Sequence, residues 1–146
     1  MSFLNFSENQ FSVIWNTSEP IAISNLQITE KLELEHIRVK CYKRNAPAGS
    51  VKLQLFTNAG NLICESNTIQ LSSIDANFIG FVRFDFQRNN IQIGDYVLKA
   101  VLSGYSRLAD FNFFSMIYDF PVKIYPNAKK HFDEHSIAIE IFGRKQ

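Results

Sequence analysis

The stretch FIGFVRFDFQRNNIQIGDYVLKAVL, Phe78 to Leu102, decides the fold. In its first half Phe78, Val82, Phe84 and Phe86 recur at period two with Gly80 in the same phase, while Arg83, Asp85 and Gln87 occupy the other. That is a strand with one apolar face. In its second half Tyr96, Leu98, Ala100 and Leu102 repeat the alternation. Between the halves, the run from Ile91 to Tyr96 places an apolar plug, a glycine and then a tyrosine at the start of the second strand. This order suits a tyrosine corner, in which the hydroxyl returns to the backbone just upstream and holds a crossover between two sheets. The expected fold is therefore all-β, an antiparallel β-sandwich.

The flanking sequence continues the pattern. Val51, Leu53 and Leu55 alternate, Asn58 to Asn61 has hairpin-turn chemistry with Gly60 able to take a positive φ, and Leu62 to Ser66 forms the return strand. Lys31 to Lys43 carries Leu32 and Leu34 in one phase and Ile37, Val39 and Cys41 in the other, so a slip falls at His36. Pro20 to Ile28 changes phase near Asn25, and both slips predict β-bulges. Gln10 to Trp15 and Thr68 to Leu71 read as short strands, and Ser136 to Phe142 as the last, with Ile137, Ile139 and Ile141 on one face. Phe111 to Tyr125 is apolar in both phases, as a strand covered on both sides would be, with Pro121 marking an edge or a bulge. Arg44 to Ser50, Ser72 to Asn77, Ser103 to Asp110 and Pro126 to His135 have loop composition, and no stretch has helical periodicity. The expectation is about eight to ten short strands in one jelly-roll-like domain over 1–146, with residues 1–9 as an arm and 143–146 as a short basic tail. A closed barrel is the alternative.

Composition narrows the function. A chain of 146 residues suits one domain, and that length buries roughly two-thirds of its unfolded surface without staples. Fourteen Phe stand against five Tyr and one Trp, an excess that favours cores and buried interfaces because Phe has no polar handle. Fifteen basic and fourteen acidic residues leave a net charge of +1, which gives no field to steer toward nucleic acid or anionic lipid. The opening MSFLNFSENQF lacks the basic, apolar and cleavage regions of a signal peptide, and no apolar run reaches transmembrane length. A cytoplasmic protein with no membrane contact is expected. Cys41 and Cys64 each continue an apolar phase and read as buried free thiols of a reducing compartment.

Catalytic chemistry is hard to assemble from these residues. His131-Phe-Asp-Glu-His135 matches the H-x-x-E-H of zinc peptidases, but that geometry needs a helix and a distant third ligand, and here a solvated loop is the expectation. His36 sits at a strand slip and reads as a packed side chain. Arg38, Lys40, Tyr42 and Arg44 share the polar face of their strand, a basic strip balanced by Glu33 and Glu35. No phosphate cradle or nucleophile constellation is present, so no enzyme activity, cofactor or metal is expected. Two binding classes remain. In one, an assembly protein makes protein–protein contacts through Phe3 and Phe6 of the arm and Phe111 and Phe113 of the doubly apolar segment. In the other, a carbohydrate-binding module stacks sugar on Trp15, Tyr42, Tyr105 or Tyr118.

The elements GFVRFDF, IQIGDYVLKAVLSGY and SMIYDFPVKIY, about half the chain, resemble the small stand-alone β-sandwich proteins of tailed bacteriophage particles, which decorate capsids or build tails and fibres. The resemblance implies a non-enzymatic virion component, assembled in the host cytoplasm, whose partners are other virion proteins or further copies of itself, with a cell-surface glycan as a second possibility. It assigns no functional residue.

Overall fold

Period-two alternation resolves into two layers. The computed structural model describes residues 12–14, 20–105, 113–117, 122–124, 129–131 and 139–145. Among them the strands are, in chain order, β1 (Ser12–Ile14), β2 (Ile21–Ile28), β3 (Leu32–Arg44), β4 (Ser50–Thr57), β5 (Leu62–Glu65), β6 (Ile69–Gln70), β7 (Ile79–Ile91), β8 (Gly94–Ser103), β9 (Phe113–Ile117), β10 (Val122–Ile124), β11 (Lys129–His131) and β12 (Ile139–Lys145). A 3-10 turn follows β6 at Leu71–Ser73. These are twelve strands rather than eight to ten, because β1, β6, β10 and β11 are pieces of two or three residues.

One sheet has seven strands and the other five. In the first, β3 is the central strand. Along one edge it pairs with β7; along the other it pairs with β12 over Leu32 to Val39 and with β9 over Cys41 to Arg44. β1 extends β9, and β10 and β11 extend β12. In the second sheet the order is β2, β8, β4, β5, with β6 beside β4. Among the described residues the pairings are antiparallel except β10 with β12.

The apolar phases meet between the layers. Leu34, Ile37, Val39 and Phe84 of the larger sheet face Leu53, Leu98, Ala100 and Leu102 of the smaller, all essentially inaccessible to solvent. The slip predicted at His36 is a register shift of β3 against β7 between Leu34 and His36, and it carries Leu32 and Leu34 inward on one side of it and Ile37 to Cys41 on the other. The slip in β2 falls between Ala22 and Ser24. The Asn58 to Asn61 hairpin joins β4 to β5 with Gly60 at φ 95°.

The corner between β7 and β8 carries the chain from one sheet to the other. Ile91 is buried, and the ring of Tyr96 is 7% exposed. The Tyr96 hydroxyl donates to the carbonyl of Gln92 at 2.8 Å, closing the corner as the sequence predicts.

Two expectations need correction, and one buried charge adds to the picture. Residues 143–145 are not a tail: β12 continues through them, paired with Leu32 to Leu34. A bulge at Gly143 makes this possible, since a Cβ there would lie 2.5 Å from the Glu33 carbonyl oxygen. Within the predicted 126–135 loop, Lys129–His131 pairs with β10 as a strand. The buried charge is Lys43, because the inward phase of β3 runs one step beyond its hydrophobic residues. Lys43 is 2% exposed, and its Nζ donates to the carbonyls of Leu71, at 2.7 Å, and of Ile74. Its backbone N–H donates to Phe78 O at 2.9 Å, so one residue ties the 3-10 turn and the start of β7 to the central strand.

Candidate protein-interaction surface

Because inward residues of β3 and β7 fill the core, their alternate residues form the outer face of the larger sheet. Strand register lays this face out in rows. Tyr42 lies opposite Ile79, Lys40 opposite Phe81, Arg38 opposite Arg83, and His36 opposite Asp85. On the other side of β3, Glu140 adjoins Arg38 and Phe142 adjoins His36. The apolar members are open to solvent: Ile79 is 56% exposed and Phe81 36%.

The charges here are already paired. Arg38 meets Glu140 at 3.2 Å, Arg83 meets Asp85 at 2.6 Å, and Arg144 meets Glu35 at 3.2 Å. The Arg38 guanidinium also lies 5.0 Å from the centroid of Phe81. Within the basic strip, Arg38 is therefore balanced by Glu140 of a strand distant in sequence, while Glu35 pairs with Arg144. His36 stacks on Phe142 with centroids 4.4 Å apart, and burial, followed by the nearby Arg83 charge, pushes its pKa below the ordinary value. It is a packed imidazole, neutral at physiological pH.

The β7 edge next to this face is partly closed. Asn67 donates its backbone N–H to Asp85 O, and its side-chain Oδ1 accepts from Asp85 N, both at 2.9 Å. Below that contact runs a groove of about 580 Å³ between β5 and β7, lined by Cys64, Glu65, Asn67, Phe86, Gln87 and Asn89 among others. Cys41 and Cys64 are both free and buried. Burial, with the Glu65 charge second, raises the Cys64 thiol to about 11, and burial raises Cys41 further, so both are protonated at neutral pH and inert as nucleophiles. Among the described residues no three His, Cys, Asp or Glu side chains converge to hold a metal, and no helix is long and apolar enough to cross a membrane.

Of the residues singled out by sequence, Tyr42 lies on the outer face and is half-buried. Phe113 opens β9 opposite Arg44, with its side chain outside the description. Tyr105 is a correction: at 5% exposure it belongs to the core cluster and offers no face to a sugar. Phe3, Phe6, Trp15, Phe111 and Tyr118 lie outside the described residues, as do residues 132–135 of the H-x-x-E-H string. Sequence reading passed over Ile79 and Phe81, the most relevant pair. Their signal was present, since both fall in the polar phase of β7 beside Arg83 and Asp85.

Comparison with protein-family models, curated proteins and solved structures finds no match to this chain.

Proposed function

We propose that this chain is a non-enzymatic interaction protein that acts through protein–protein contacts made by the outer face of its larger sheet. The reading extends to a component of an assembled particle, of the kind implied by the resemblance to tailed-phage sandwich proteins. One observation carries it: Ile79 and Phe81 are both exposed on the same face of β7, with the Arg38 guanidinium over the Phe81 ring. Aromatic and aliphatic anchors beside arginine have the chemistry of interface centres, and the paired charges around them have that of a rim. A sugar platform has less support, because Tyr105 is buried and the groove between β5 and β7 holds its ring, Phe86, at 5% exposure.

The test is photo-crosslinking in the producing cell. A photoreactive residue at Ile79 is expected to capture protein, while one at Asn25 on the opposite sheet is not. Equal capture from both positions, or none from Ile79 together with binding on a glycan array, would overturn the reading in favour of the sugar-binding class.

A further inference from the structure

Resting on that reading, we infer that the partner of the β7 edge is the β7 edge of a second copy, paired antiparallel about a two-fold axis at Phe81. The donation from Lys43 N to Phe78 O sets the phase of the β3–β7 ladder. In an antiparallel pair, backbone groups alternate between the two edges of a strand. Phe78, Gly80, Val82 and Phe84 therefore point their N–H and C=O groups at β3, and Ile79, Phe81, Arg83 and Asp85 point theirs outward. The contact of Asp85 with Asn67 on the outer edge agrees with this phase.

Asp85 is thus satisfied, while the outward groups of Ile79, Phe81 and Arg83 meet no partner among the described residues. The open window has two defined ends. Asn67 closes it beyond Arg83. Before Ile79, the chain turns at Asn77, with φ 58°, and the Asn77 side chain accepts from Asn45 N at 3.2 Å, which draws that turn toward the end of β3. What remains is Ile79 to Arg83, and its centre is Phe81.

A window symmetric about one residue fits itself. In the register that places Phe81 opposite Phe81 of the second copy, Ile79 falls opposite Arg83 and Arg83 opposite Ile79, and every outward group of both windows is used. On the outer face the two phenyl rings meet across the axis, and each isoleucine packs on the aliphatic part of an arginine. Charge permits the approach, since Arg38 and Arg83 each have a carboxylate of their own chain at 3.2 and 2.6 Å. The window holds neither proline nor bulge, and its one charged side chain, Arg83, is paired with Asp85 of its own chain. Two seven-stranded sheets would become one continuous sheet.

Sedimentation velocity of the full chain from about 10 µM to about 1 mM is the test, because a contact this small gives a concentration-dependent dimer. Ile79→Lys places a lysine opposite Arg83 twice per dimer and is expected to weaken association at least tenfold, while Ile79→Glu at the same position is expected to tighten it about threefold to tenfold. Phe81→Pro removes the central outward N–H without touching the β3 ladder and is expected to leave a folded monomer. In the parent, the amides of Ile79, Phe81 and Arg83 gain hydrogen-exchange protection with concentration, whereas Gly80 and Val82 are protected throughout. A parent that is monomeric over the whole range, a dimer indifferent to Phe81→Pro, or Lys and Glu variants that shift in the same direction would each overturn the inference. A monomer that still crosslinks a different protein through Ile79 would remove self-pairing and leave the proposed function standing.

Discussion

Tyr96→Phe removes one hydroxyl from a ring that is otherwise 7% exposed, so the apolar burial is retained and only the bond to Gln92 O is lost. A single intramolecular hydrogen bond has a net worth of about 0.5–1.5 kcal/mol. Gln92 is exposed, so water can reach its carbonyl once the hydroxyl is gone, and the cost stays near the middle of that range rather than rising to the penalty for an orphaned group. For a chain of this length, a loss of about 1 kcal/mol lowers Tm by roughly 2–4 °C. Urea and thermal unfolding at neutral pH measure it, with the urea slope unchanged because the exposed surface is the same. A second signature appears in alkali. Burial raises the Tyr96 phenol above its ordinary pKa, so its contribution to stability is complete below about pH 10 and is lost as pH rises through the folded value. The phenylalanine variant has no such loss, and the gap between parent and variant narrows above that pH. An unchanged melting curve at neutral pH would refute the corner as a stabilising device.

Three further perturbations test the frame. Lys43→Met removes the donors to Leu71 O and Ile74 O and is expected to cost about 2–4 kcal/mol, with 71–78 becoming the first site of proteolysis; a loss under about 1 kcal/mol would show that the amine is dispensable. Gly143→Ala brings a methyl group within 2.5 Å of the Glu33 carbonyl oxygen and 2.7 Å of Leu32 Cδ1, and should destabilise by about 1–3 kcal/mol in denaturant unfolding, whereas a neutral result would mean that the bulge relaxes freely. The Cys64 thiol is raised from 9.0 to about 11, so its contribution is complete below pH 9 and lost as pH rises through 11. Cys64→Ala should therefore lose up to about 3 kcal/mol less than the parent across that interval, and parallel pH profiles would contradict the burial of the thiol.

Local grammar was legible wherever one face of a strand is buried. Tyr96, the Asn58 to Asn61 turn and the slip at His36 each announce themselves within a few residues, because side-chain period, turn chemistry and bulges are short-range effects. Lys43 was not legible as a buried group: its phase placed it inward, but charge outweighs phase until the carbonyls of Leu71 and Ile74, twenty-eight and thirty-one positions away, are known. The continuation of β12 through Gly143 to Lys145 was hidden for a similar reason, since its polar residues gain their place from pairing with β3 and ion pairing with Glu35. The candidate surface was half legible. Arg38 and Tyr42 stood out as a strip, whereas Ile79 and Phe81 became meaningful only when β7 was set beside β3.

The position of β3 bears on how the chain is made. Its partners on one side, β9 and β12, follow it by many tens of residues, with Leu32 pairing Lys145 and Arg44 pairing Phe113. At about 5–20 residues per second, a growing chain holds this central strand with one edge bare for roughly 5–20 s before β12 emerges. Until then the nascent protein displays an unpaired strand whose inward face is Leu32, Leu34, Ile37, Val39 and Cys41. The alternating Glu33, Glu35, Arg38 and Lys40 then act as gatekeepers, charged side chains that discourage neighbouring nascent chains from adding to the edge during synthesis.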